Sequence, residues 1–352
     1  MAIRVIHVGV GVRGRHWLDV VADHPDFVSV ACVDPADGSL EHARACRGQE
    51  HGVFARSIAD AVSRVQADVA LVATPTALHA THTLQALDAG LAALVEKPLA
   101  ASLTEAVQVV ERARAVSRPC MVAENYRFFP AERTMRRMID EGVAGRITSI
   151  VCVDRRDQPS SSQGPWVKAM EHPFLGEIAV HHFDSFRYLF NRQPVWMMAR
   201  SSNPPGSTYD REGAAEALIE LEGALSIVYA GTFQGHRFEF SLWVQGDTGD
   251  IWTDRKRVWW RPRGWRFFRP VRLVAVPKGD ELPYPKGGTV SILNQFREAV
   301  LHGRTPETSA QDNLQTLAMV EAAILSHREG RRIPIGEVLT PVLRERARLQ
   351  AT

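Results

Sequence analysis

The chain has 352 residues, of which 45% are hydrophobic and 23% charged, more than one ordinary core supports and enough apolar material for two. The 42 Lys and Arg nearly balance the 40 Asp and Glu, leaving a formal net charge of +2, so the global field gives no reason to expect nucleic acid or an acidic membrane surface as partner. Cys32, Cys46, Cys120 and Cys152 lack C-x-x-C spacing and read as reduced and mostly buried; with a first strand at Ile3 that leaves no room for a signal peptide, and no apolar run of membrane-spanning length, a cytoplasmic protein is expected.

Ile3 to Val8 reads as an apolar strand, and Gly9-Val10-Gly11-Val12-Arg13-Gly14 then fits G-x-G-x-x-G ahead of a helical stretch containing Trp17, Leu18 and Val21. Glycine lets such a loop turn tightly and bring its backbone amides close to a pyrophosphate at the positive end of the helix. A second strand, Val28 to Val33, ends in Asp34, about twenty residues past the last glycine, where a ribose-binding carboxylate belongs. A carboxylate there accepts from a free 2′-hydroxyl and repels a 2′-phosphate, and Pro35-Ala36-Asp37 offers no cation to hold one, so NAD is expected in preference to NADP. Arg13 and Arg15 lie close enough to help neutralise phosphate, or are surface residues.

Val69 to Ala73 is strand-like and leads into Thr74-Pro75-Thr76; His79 to Ala89 then reads as a helix closed by Gly90. Ala92 to Val95 is apolar and too short for a helix, so it is read as a buried parallel strand whose carboxyl end, at Glu96-Lys97-Pro98, aims Lys97 at a ligand. A solvated lysine in a turn is the plain alternative. Ser102-x-x-Glu105 is a capping box opening another helix with Val109, Val110, Ala113 and Val116 toward the sheet. After Glu124-Asn125-Tyr126-Arg127-Phe128 the alternation of strand and helix stops. A helix from about Ala131 to Glu141 is stopped by Gly142, a strand follows from Ile147 to Val153, and beyond Pro194 strands and turns dominate. The expected fold is α/β: a doubly wound parallel sheet of Rossmann type over residues 1–123, then an α/β domain with a large, mostly antiparallel open sheet over 124–352. Helices at about 289–330 are expected to pack back on the first domain, and Arg344-Glu345-Arg346-Ala347-Arg348 reads as a solvated helical end.

In the stretch from Leu175 to Tyr188, Glu177, His181, Asp184 and Tyr188 recur at helical spacing, so the acid and the imidazole are expected on one face, one turn apart, with Ile178, Phe186 and Leu189 toward the core. A carboxylate so placed can orient a histidine. His182 points about 100° away and reads as packed or superficial; Asp184 either orients His181 or substrate, or pairs with Arg187. Trp166 either stacks on a sugar ring or pins its loop. A metal site of His181, His182 and Asp184, with His79 and His82, is disfavoured because adjacent helical histidines cannot share a ligand face. The run Arg255 to Arg269 interleaves cations with aromatics, a composition also used for nucleic acid; a turn at Pro262-Arg263-Gly264 instead predicts a hairpin with one aromatic and one basic face, packing on a neighbouring sheet or a second subunit, with recognition of an anionic substrate as the alternative.

Taken together, the glycine loop, Asp34, Ala73-Thr74-Pro75-Thr76 with His79, Glu96-Lys97-Pro98, Asn125-Tyr126-Arg127-Phe128 and His181-x-x-Asp184 resemble the Gfo/Idh/MocA oxidoreductases, the family of glucose-fructose oxidoreductase and inositol dehydrogenase. The resemblance implies NAD(P)-linked hydride transfer at a secondary alcohol of a sugar, polyol or sugar derivative, no metal, and a homodimer or homotetramer through the C-terminal sheet. Carried over residue by residue, it implies cofactor contacts at Gly9, Gly11, Val12, Arg13, Gly14, Asp34, Thr74, Pro75, His79, Glu96 and Asn125. Lys97, His181 and Glu177 are implied as catalytic, and Lys97, Arg127, Trp166, His181 and Asp184 as substrate-binding. Glu177 departs from the aspartate usual there, and its longer side chain shifts the carboxylate by about one bond length, against a tolerance of about half an ångström for catalytic groups. Two rival activities use the same fold: an NAD-dependent glycosidase working by transient sugar oxidation, and a noncatalytic sugar or nucleotide sensor, which would have little need of both Lys97 and His181.

Overall fold

The computed structural model describes residues 2–46 and 52–351, and of residues 345–351 the backbone alone, so the charges expected at Glu345, Arg346 and Arg348 lie outside the described side chains. The chain divides into two compact units. One holds the residues up to Asn125 together with Pro277–Leu314; the other holds Tyr126–Val276 and the residues from Gln315 onward.

In the first unit β1 (Ile3–Val8), α1 (Val12–Asp23), β2 (Phe27–Val33), α2 (Asp37–Arg44), β3 (Val53–Ala55), α3 (Ile58–Arg64), β4 (Val69–Val72), α4 (His79–Asp88), β5 (Ala92–Val95), α5 (Leu103–Ala115) and β6 (Cys120–Val122) alternate along the chain. The six strands form one parallel sheet in the order β3-β2-β1-β4-β5-β6. β4 and β5 are buried along their whole length, as continuous apolar runs covered on both faces should be. The order reverses at β1, whose neighbours are β2 and β4, and this switch point is where ligands bind in open parallel sheets. α5 begins at Ser102, whose hydroxyl accepts from the Glu105 amide at 3.3 Å, while the Glu105 carboxylate reaches the Ala101 amide at 3.1 Å, one residue beyond the expected box partner. The returning segment is tied in by Thr308, whose carbonyl accepts from the Val122 amide at 2.8 Å and whose hydroxyl donates to the Val122 carbonyl at 2.7 Å.

The second unit comprises α6 (Pro130–Asp140), β7 (Ile147–Asp157), α7 (Pro165–Lys168), α8 (Val180–Phe190), β8 (Pro194–Ser202), β9 (Ala214–Leu221), β10 (Leu225–Thr232), β11 (Gln234–Gly246), β12 (Gly249–Thr253), β13 (Val258–Pro262) and β14 (Arg269–Val271). α9 (Thr289–His302) belongs to the first unit, α10 (Ala310–Glu329) starts there and continues into the second, and β15 (Ile333–Pro334) and α11 (Ile335–Ala351) close the chain. The nine-stranded sheet has the order β14-β13-β12-β11-β7-β10-β9-β8-β15 and is antiparallel except between β7 and β10. Its strands alternate buried and exposed residues, as in β9, where Ala217, Ile219 and Leu221 are buried and Leu218 is exposed, so one face carries the core and the other is open.

Two expectations are corrected. β13 and β14 do pair, with Trp259 opposite Pro270, but the connection runs over residues 263–268 rather than a tight Pro262-Arg263-Gly264 turn. Nor do aromatics and cations segregate to two faces: strand alternation sends Trp259 and Trp260 to opposite sides, and guanidinium groups lie over the rings, Arg261 at 4.6 Å from Phe268 and Arg269 at 3.7 Å from Trp265. The stretch Leu175–Ala179 is a π-helical turn preceding α8, so Glu177 and His181 are not joined by the regular 3.6-residue helix expected of them.

Candidate active site

The glycine loop is closed on itself and open outward. Gly9 has φ +84°, and a Cβ there would lie 2.7 Å from Thr74 Cγ2; a Cβ on Gly14 would lie 2.0 Å from the Gly9 carbonyl oxygen. A Cβ on Gly11 meets nothing within 4 Å. Gly11 is the N-cap of α1, makes no side-chain cap, and the first turn carries no acid, so among the described residues no capping side chain is recorded at this end of the twelve-residue helix. Such amides suit a pyrophosphate. Asp34 follows β2 and is half-buried, accepting from the Val10 amide at 3.0 Å and the Ala36 amide at 2.9 Å, which orients its carboxylate toward the loop. Arg56, just past β3, reaches Asp37 at 2.6 Å. Arg56 reaches this place through the pairing of β2 with β3, in which Ala55 lies opposite Val33, so the residues next to Asp34 in sequence give no sign of it.

Lys97 follows β5 on the same edge of the sheet as Gly9 after β1 and Thr74 after β4. Its backbone is fixed by Glu96, whose Oε1 accepts from Arg13 Nε at 2.5 Å and Trp17 Nε1 at 2.7 Å, and whose Oε2 accepts from the Lys97 amide at 3.2 Å. Burial alone would raise the Glu96 pKa, but the Arg13 charge, the hydrogen bonds from Trp17 and Arg13, and the Lys97 charge together hold it below the ordinary value. Arg13 also donates to the Pro285 carbonyl at 2.9 Å. Glu96 and Arg13, both expected at the cofactor, are thus joined to each other and tie α1 to the lysine. The Lys97-Pro98 bond is cis. His79 lies buried behind it, Nδ1 2.6 Å from the Pro98 carbonyl oxygen and Nε2 2.8 Å from that of Thr74; a neutral ring can donate to only one of them. Burial pushes its pKa down, while those two carbonyls favour the charged form. Asn125 donates to the Gly287 carbonyl at 3.0 Å.

In the second unit His181 is buried at the start of α8, its ring stacked on that of Tyr126 at a centroid distance of 4.2 Å and an interplanar angle of 14°. The Tyr126 hydroxyl accepts from Arg156 at 3.1 Å; Arg156 grips Asp154 with two bonds of 2.9 Å; His182 Nε2 lies 3.0 Å from Asp154, and His182 Nδ1 lies 2.9 Å from the Tyr229 hydroxyl. Burial drives His182 down to about 3 despite the Asp154 carboxylate beside it, so the ring is neutral, with Nδ1 paired to the Tyr229 hydroxyl. Burial of Asp154 works against ionisation, but the bonds and charges of His182 and Arg156 prevail and lower its pKa. Arg127 and Asp184 form a bidentate pair with both bonds at 2.6 Å, and Thr316 donates to Asp184 at 3.0 Å. Arg187 lies 3.8 Å from the same carboxylate. Tyr188 packs under guanidinium groups, with Arg133 at 5.1 Å and Arg136 at 5.5 Å. Glu177 is half-buried on the π-helical turn, and Trp166, 37% exposed, lies on α7.

Residues 3–124 match the oxidoreductase family with an NAD-binding Rossmann fold, and residues 133–252 match the GFO/IDH/MocA C-terminal domain. Among curated proteins, a D-apiose dehydrogenase of Paraburkholderia graminis is 29% identical over 93% of this chain and 88% of its own length. An inositol 2-dehydrogenase of Rhizobium meliloti is 24% identical over 95% of this chain and 100% of its own. An oxidoreductase of Agrobacterium radiobacter, solved in complex with NAD+, L-tartaric acid and magnesium, superposes with a TM-score of 0.86 at 19% identity, covering 96% of this chain and 99% of that one. With both of its domains matched in order, the chain belongs to the Gfo/Idh/MocA family of oxidoreductases.

Proposed function

We propose that this oxidoreductase transfers a hydride between NAD and a secondary alcohol of a sugar, polyol or sugar derivative, with Lys97 and His181 handling the substrate hydroxyl. The observation that carries the reading is the Glu96 anchor, which fixes Lys97 beyond the carboxyl end of β5, on the sheet edge where the amides of the glycine loop are open. Bound NAD supplies the hydride acceptor or donor. His181 takes the hydroxyl proton, and the Lys97 ammonium stabilises the charge that develops on that oxygen. Asp34 receives the ribose hydroxyls, and Trp166 offers an exposed ring to a sugar face. Arg127 and Asp184, expected at the substrate, contribute by holding the Tyr126–Phe128 turn to α8. Glu177 is the acid best placed in sequence to support His181. The test is a turnover screen of sugars, inositols and other polyols with NAD, following NADH absorbance and identifying the product. NADH formation with a keto product is expected; turnover of none of these classes in either direction would overturn the reading.

We further infer a homo-oligomer built on the open face of the nine-stranded sheet. Met198, Leu218, Val228, Val151, Trp243, Trp252 and Trp259 are successive cross-strand partners from β8 to β13. The four aliphatic members are each 38–48% exposed, and an apolar row across seven strands is more than a monomer normally leaves to water. A second copy covering it, in a reducing cytoplasm that suits four free thiols, should give a sedimentation mass of two or four chains; a monomer at micromolar concentration would overturn it.

A further inference from the structure

We propose that Arg255 is a positioning residue for His181: its guanidinium, clamped between Tyr126 and Phe240, fixes the plane of the imidazole through the Tyr126 ring. The proposal rests on His181 acting at the substrate hydroxyl. Arg255 Cζ lies 3.7 Å from the Phe240 centroid and 4.0 Å from that of Tyr126, and His181 lies 4.2 Å from the same Tyr126 centroid. Two groups so close to one ring must occupy its opposite faces. The result is a column of imidazole, phenol, guanidinium and phenyl.

Three features show that this arrangement is imposed rather than incidental. Arg255 has φ 71°, a left-handed conformation disfavoured for a residue with a Cβ. Its side chain is 8% exposed although the adjacent Lys256 is in solvent, so the long cation is threaded inward from a surface turn. Its Nε and one Nη are buried without a hydrogen-bond acceptor, the Glu132 carboxylate standing 3.8 Å away. Strain and unpaired donors persist only where the surroundings determine them. Here two aromatic faces receive the planar cation, and the turn is prefolded. Thr253 Oγ1 accepts from the Arg255 amide at 2.9 Å and donates to the Arg257 carbonyl at 2.7 Å, and Asp254 accepts from the Lys256 and Arg257 amides at 2.9 and 2.7 Å. Tyr126 is then held at its hydroxyl by Arg156 and on one face by Arg255, leaving the other face as a fixed platform for the imidazole.

The experiment labels histidine at Cε1 in the full chain, assigns the His181 signal by its loss in His181→Asn, and compares wild type with Arg255→Met, Arg255→Lys and Lys256→Ala. The Tyr126 ring current marks the His181 signal. It should move in Arg255→Met and in Arg255→Lys, since an ammonium cannot reproduce the planar stack, and stay in place in Lys256→Ala. In the turnover assay Arg255→Met should lower kcat by about 10²-fold with the alcohol KM changed less than about twofold. Arg255→Lys, which keeps a positive charge beside Glu132, decides the question where Arg255→Met does not fold. A His181 signal that stays at the wild-type position in the folded Arg255 variants overturns the proposal whatever the activity. Absence of turnover in wild type would instead remove the dehydrogenase reading while the signal still decides the stack.

Discussion

Glu96 is where the nucleotide loop and Lys97 can be tested together. Its carboxylate is buried and accepts from Arg13, Trp17 and the Lys97 amide. In Glu96→Ala the indole N–H of Trp17, which is fully buried, loses its acceptor, at about 1–3 kcal/mol. Arg13 loses a charged partner, and breaking a buried pair costs about 3–5 kcal/mol; because Arg13 keeps 20% side-chain exposure and the Pro285 carbonyl, the lower end applies. About 4–6 kcal/mol in all is expected for Glu96→Ala and about 1–2 kcal/mol for Glu96→Gln, which keeps one acceptor. The assay is urea unfolding with and without saturating NAD, since the transition that NAD shifts belongs to the nucleotide-binding unit. The Glu96 carboxyl is held below its ordinary pKa, so its stabilisation is present above the unfolded value of about 4.3 and is lost as pH falls through the folded value. The gap between wild type and Glu96→Gln should therefore be constant above about pH 5 and shrink below about pH 4. A gap unchanged down to pH 3, or a Glu96→Ala loss under about 1 kcal/mol in the NAD-sensitive transition, would refute the anchoring role.

Four further outcomes are expected. Lys97→Ala should reduce kcat by about 10²–10³-fold, the scale of losing one charge-stabilising donor, with the NAD dissociation constant from fluorescence titration unchanged. Asp34→Ala with Asp37→Ala should move the NADP-to-NAD ratio of kcat/KM upward by at least about tenfold, since it removes the carboxylate facing the loop and leaves Arg56 without the Asp37 partner. Leu218→Glu, in the middle of the open apolar row, should shift sedimentation toward the single chain without loss of helical or strand signal. Burial pushes Glu132 up to about 7 against the opposing Arg255 charge; the fold favours its protonated form below about pH 4.3, and that stability is lost as pH rises toward 7, by about 1.4 kcal/mol per unit at most. Glu132→Gln should flatten this decline in urea midpoints measured from pH 4.5 to 7.5.

What the sequence shows and hides follows from how far apart the interacting residues lie. Strand, glycine loop, helix, strand and acid occur within one βαβ unit, so periodicity and glycine placement suffice to read them, and the observed Ile3–Val8, Val12–Asp23 and Phe27–Val33 follow the expected pattern. Long-range partners carry no such local signal. That Glu96 accepts from Trp17 and Arg13 cannot be read from the tripeptide around it, and Arg56 comes to this end of the sheet only because β3 pairs beside β2. The run from Arg255 to Arg269 shows the limit most clearly. Composition alone suggests a basic face, and its first arginine is drawn inward between Phe240 and Tyr126. A left-handed turn that aims a side chain into the core leaves no periodic trace, and only Asp254, a common turn residue, hints that the chain reverses there. The π-helical turn at Leu175–Ala179 is equally silent, because its residues, Leu-Gly-Glu-Ile-Ala, read at 3.6-residue spacing as an unbroken helix. The residue that stacks on the imidazole, Tyr126, lies far from it in the chain, so no local pattern announces that contact. The resemblance that points to the histidine therefore does not point to its stacking partner, nor to the arginine against the same ring, which enters from the turn between β12 and β13.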